Sequence, residues 1–169
     1  MSEYRKSQIP SKEIFGNVNK YESYREAWSR IKLAQENHFF LEAITIQESI
    51  ISDRLISFLS RPESPNPLPD HTRGRYLSFN QIIQKWRSEV SDTSVSCIAL
   101  IDAVDRWRRI RNEAIHAIVK SDTGESTQSI DLFLQKAKEA ADEGERLARE
   151  VCKWCKKEKI GKNSSLSTS

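Results

Sequence analysis

Glycine and proline are scarce. Each occurs five times in 169 residues, and four of the prolines, Pro62, Pro65, Pro67 and Pro69, fall in one segment. The rest of the chain is largely free of the residues that most often break helices. Cysteine is also rare, and its odd count of three argues against a disulfide framework and for a reducing compartment. No apolar run approaches the length of a membrane span, and the opening residues Met1 to Lys6 lack a signal-peptide apolar region. These absences predict a soluble, cytoplasmic chain with no membrane partner. An excess of one charge is missing too: 27 basic residues face 24 acidic ones, so any nucleic-acid contact must come from local clustering.

The length suits one domain with a single core, and the patterning is helical throughout. The expected class is all-α, a compact bundle of about five helices over residues 19–158, with a loose polar lead-in over 1–18 and a disordered tail over 159–169. Tyr21, Tyr24, Trp28 and Ile31 recur at the period of a helix with one buried face. A second helix is predicted from near Glu36 or Asn37 to Leu59. Phe40, Ile44, Gln47, Ile51, Leu55 and Phe58 form one of its stripes, with Phe39, Ala43, Ile46 and Ile50 beside it. So wide an apolar arc suits a helix that is central in a bundle or shared with a second chain. The Pro-rich segment 61–77 reads as a surface loop whose length suggests either disorder or a functional flap, with His71, Arg73 and Arg75 near a polyanion or simply in water.

Ser78 is a good N-cap for a short helix carrying Ile82, Ile83 and Trp86. A fourth helix is predicted over about 95–118 and a fifth over about 127–157. Ile130, Phe133, Ala137, Ala141, Gly144, Ala148, Val151 and Cys155 make the fifth helix's apolar stripe. Cys152 and Cys155 could supply half a zinc site, but no second ligand pair with suitable spacing accompanies them. They read as buried or half-buried thiols, and neither a metal nor another cofactor is expected.

The fourth helix carries the densest chemistry. With about 100° per residue and Arg111 at zero, Leu100, Val104, Trp107, Ala114, Ile115 and Ile118 fall within about 60° of it. Arg111 therefore stands where the pattern asks for an apolar residue, and it needs a carboxylate, a set of carbonyls or an interface. Asp105, Arg109, Asn112 and His116 form a second, polar line at intervals of 4, 3 and 4 residues. Asp105 can pair with Arg109, and Asn112 lies within reach of the His116 ring. Arg111 and His116 are about 140° apart, so a second copy of the helix, or the full reach of Arg111, is needed to bring both to one substrate. Arginines on long helices more often face water, and a histidine at a helix C-terminus can simply meet the helix dipole.

Arg111, Asn112 and His116, late in the penultimate helix, resemble the Arg-x(4 to 6)-His signature of the HEPN superfamily, in which a polar residue often follows the arginine. The segment from Phe39 to Leu55 also looks like the second helix of small bacterial members, and the resemblance covers residues 20–157. It implies a homodimeric, metal-independent endoribonuclease that cleaves single-stranded RNA by attack of a 2′-hydroxyl on the adjacent phosphate. His116 would be general acid/base and Arg111 the phosphate clamp, with Asn112 orienting them, Arg109 and Asp105 supporting, and Arg108 and Arg106 lending a basic rim to RNA. Arg109 also satisfies the family spacing, which leaves two candidates for the working arginine. The resemblance further implies a toxin or phage-defence setting, with a cognate antitoxin or nucleotidyltransferase as a further partner. A non-catalytic helical interaction module and RNA or nucleotide binding without cleavage are the alternatives.

Overall fold

The computed structural model describes residues 12–61, 64, 67–68, 77–90, 95–117 and 129–165. Among the described residues five α-helices follow one another, α1 Lys12–Glu36, α2 Phe40–Leu59, α3 Phe79–Glu89, α4 Val95–Ala117 and α5 Ile130–Ser165, with no strand. The all-α class follows. α2 is the central element, packed on α1, α3 and α5, and α4 lies chiefly against α3 and α5. Its wide apolar arc explains this place: Ala43, Ile44, Ile51, Leu55 and Leu59 are fully buried, and Ile50 nearly so.

The α2–α5 contact is built on small residues. Ala137, Ala140, Ala141, Gly144 and Ala148 line the buried face of α5, which lets the two helices approach closely. Its outer face carries Lys138–Asp142, Arg146 between Glu143 and Glu150, and Arg149–Glu145, ion pairs one turn apart that suit a solvent-facing surface. Trp107 from α4 packs against the same small-residue face of α5, donating its indole N–H to the Ala140 carbonyl at 2.7 Å. Trp154 packs edge-on to Phe58 and beside Trp86, joining α5 to the ends of α2 and α3.

Several boundaries differ from the sequence expectation. α1 begins at Lys12, inside the span 1–18 expected as a loose lead-in. Polar composition alone does not exclude a helix. Tyr21 is exposed, since α1 meets α2 through the Lys20 and Tyr24 edge, where both side chains reach Asp53. α5 runs from Ile130 to Ser165, not 127 to 157, which places helix over much of the expected tail. Ile130 is exposed at its first position, because a period assigns a face without saying how far along it the neighbours extend.

α2 starts at Phe40 rather than near Glu36. The backbone closes α1 through Phe39 N–H to Ala34 O at 2.7 Å and His38 N–H to Gln35 O at 3.2 Å, and His38 takes φ 62°. This pattern is a Schellman motif with histidine at the left-handed position that glycine usually fills. His38→Gly is expected to raise stability by roughly 0.5 to 1 kcal/mol, less whatever its edge-on contact with Phe40 contributes. A lower urea midpoint in that variant would contradict the assignment.

Ser78 caps α3 as expected: its hydroxyl accepts from Gln81 N–H, and the Gln81 side chain accepts from Ser78 N–H. Within the Pro-rich segment three described residues make contacts with the bundle. Arg61 pairs with Glu89 at 2.7 Å and stacks over Phe58, Ser64 donates to Glu89 at 2.8 Å, and Leu68 is buried with its N–H on Leu59 O. These contacts tie Arg61, Ser64 and Leu68 to the ends of α2 and α3. His71, Arg73 and Arg75 lie outside the described residues, as do Ile118 and the turn expected after α4.

Candidate functional site

The α4 helix sorts its polar residues by depth. Val104, Trp107 and Ala114 are buried and Leu100 and Ile115 half-buried, which puts Arg111 on the inner stripe. Its side chain retains 23 % exposure. The carboxylate that such a position demands comes from α2: Arg111 Nη2 is ion-paired with Glu48 Oε2. Burial is the first influence on Glu48 and raises its pKa, while Arg111 opposes the rise. Arg111 Nη1 donates to Asn112 Oδ1 at 2.6 Å, so both terminal nitrogens have a protein acceptor.

This changes the expected role of Asn112. Its side-chain oxygen meets Arg111, not the His116 ring, and among the described residues no hydrogen bond to that ring is formed. The acceptor adjacent in sequence lies close to the guanidinium, whereas His116 is a full turn further on. His116 is exposed in the last turn of α4. The separation of about 140° between it and Arg111 therefore persists: one side chain points into the bundle and the other out.

Asp105 is buried and holds two arginines. Its carboxylate accepts from Arg108 Nε and Arg109 Nη2, each at 2.9 Å. Burial alone would raise the Asp105 pKa, but these two hydrogen bonds and charges outweigh it and leave the group below its ordinary value. Arg108 is only 20 % exposed, whereas Arg109 is 68 % exposed and shares its facet with His116. Arg106 is exposed, near enough to Glu143 of α5 to help lower that carboxyl after Arg146 has done most of it. The expected basic rim is thus divided among acidic partners.

Glu48 is the residue that the sequence reading missed. The available signal was an acidic side chain between the buried Gln47 and Ile50, but a period along α2 does not reveal which residue of α4 faces it. The thiols are as expected: Cys97 is buried, Cys152 and Cys155 are half-buried, and all three are free. Burial pushes Cys155 up to about 12. Among the described residues no group of three or more His, Cys, Asp or Glu side chains could hold a metal ion. No described helix is long and apolar enough to cross a membrane. No family model, curated protein or solved structure matches the chain.

Proposed function

We propose that the chain is an endoribonuclease of HEPN type that cleaves single-stranded RNA without a metal ion. The observation that carries this reading is the pairing of an oriented guanidinium with an uncommitted imidazole on one helix. Arg111 is held between Glu48 and Asn112, and His116 stands exposed five residues later. In the proposed step the ribose 2′-oxygen bonds to the adjacent phosphorus and the bond from phosphorus to O5′ breaks. A base takes the 2′-hydroxyl proton and an acid delivers one to O5′, leaving a 2′,3′-cyclic phosphate and a 5′-hydroxyl. Histidine as a residue type can do either task near neutral pH, and arginine can stabilise the added charge on the phosphate. DNA lacks the nucleophile.

The diverging directions of Arg111 and His116 give the reading a second requirement, a homodimer in which two copies of α4 supply one cleft. Val95 and Ile98 are exposed apolar residues on the facet shared by Arg109 and His116, a surface that suits a partner helix. Light scattering at micromolar concentration is expected to give twice the chain mass of 19.5 kDa. A monomer under those conditions removes the geometric basis of the shared cleft. A toxin or phage-defence role, with an antitoxin or nucleotidyltransferase partner, belongs to the same proposal.

The activity is tested by incubating the purified protein with single-stranded RNA in excess EDTA and analysing the ends. Cyclic phosphate termini that disappear in His116→Ala support the enzyme, and cleavage unchanged in that variant removes His116 from it. One observation favours a non-catalytic interaction module: the Arg111–Glu48 pair closes within the chain, as a purely structural ion pair would. Salt-dependent RNA binding without cleavage would instead favour a binding protein.

A further inference from the structure

We propose that Glu48 is the positioning residue for Arg111, fixing from α2 the direction in which the α4 guanidinium is offered to a substrate phosphate. The inference rests on the ribonuclease reading and adds a residue to its site. α2 and α4 touch each other lightly, with α3 and α5 packed against both, and the Glu48–Arg111 pair is a direct polar tie across that crossing. Both side chains are about four-fifths buried, so the tie is shielded from solvent and from salt more than a surface pair would be. An arginine carries five N–H donors in a planar fork. Glu48 is ion-paired with Nη2 and Asn112 accepts from Nη1, while Nε has no hydrogen-bond partner among the described residues. The two acceptors therefore orient the guanidinium without exhausting it. A flexible arginine side chain held at two points loses little further freedom when a phosphate arrives, and small errors of placement weigh heavily on reaction rates.

The test compares wild type, Glu48→Gln, Glu48→Asp, Arg111→Ala and the Glu48→Gln/Arg111→Ala double variant on a single-stranded RNA in EDTA, with melting temperatures recorded for each. Glu48→Gln keeps the shape and removes the charge; it is expected to lower kcat about tenfold or more with KM within about twofold. Glu48→Asp, which keeps the charge, should recover part of that loss. In the Arg111→Ala background Glu48→Gln should lower kcat no further, since the arginine it acts through is gone. The proposal is overturned if Glu48→Gln cleaves like wild type, if the aspartate variant is as impaired as the glutamine variant, or if the two substitutions act additively. Those results, with His116→Ala still inactive, leave the ribonuclease reading standing. Absence of cyclic phosphate product from the wild-type protein removes both.

Discussion

Replacing His116 by alanine is expected to lower RNA cleavage by at least about 10²-fold, the contribution typical of a positioned general acid or base. The melting temperature should stay within about 2 to 3 °C, because an exposed last-turn histidine contributes little beyond its interaction with the helix dipole. His116 is exposed, and among the described residues no hydrogen bond holds its ring, so the side chain has little to contribute to the fold. That contrast makes the result diagnostic. A contaminating ribonuclease working through the same cyclic phosphate would also resist EDTA, but it would survive the substitution when the variant is purified identically. Activity that follows the protein and is lost with one exposed imidazole belongs to this chain. Arg111→Ala is a poorer first probe, since it strands the half-buried Glu48 carboxylate and can lower activity through the fold.

The contrast between those two residues shows what a single sequence can and cannot reveal. Arg111 was conspicuous because it interrupts an apolar stripe, and the demand for a carboxylate followed from the cost of an unpaired interior charge. The identity of that carboxylate was not legible. Period along α4 fixes which face Arg111 occupies, whereas the partner depends on how far α2 is displaced along its own axis, a quantity that no local pattern encodes. Ser78 was legible because a capping box is contained in four consecutive residues. The start of α2 was not, because a histidine at φ 62° carries no compositional mark of the left-handed turn it makes. Asp105 shows a partial success: its pairing with Arg109 follows from i,i+4 spacing, but its burial and its simultaneous hold on Arg108 depend on the packing around α4.

Gly144→Ala is expected to destabilise the protein by about 2 to 4 kcal/mol, although the same change in an exposed helix would stabilise it by about 1 kcal/mol. A Cβ built at Gly144 would lie 2.2 Å from Gln47 Oε1 and 2.6 and 2.8 Å from two atoms of the Trp107 ring. Neither neighbour can easily yield. Gln47 is fully buried and donates from Nε2 to the Ala141 carbonyl at 2.8 Å, so moving its amide breaks that bond inside the core. Trp107 is 1 % exposed and anchored to Ala140, which fixes its ring against the same turn of α5. For a chain of this size the loss corresponds to a fall of about 5 to 15 °C in melting temperature. Gln47→Ala in the same background should restore only part of it, because Trp107 still meets the new methyl group. The double variant should nevertheless be more stable than the sum of the single changes by about 1 kcal/mol, the coupling expected of atoms competing for one space. An unchanged or raised melting temperature in Gly144→Ala would show that α5 can move away from α2. The close approach of these helices would then be a loose contact, and Glu48, one residue beyond Gln47 on α2, could not be held rigidly enough to direct Arg111.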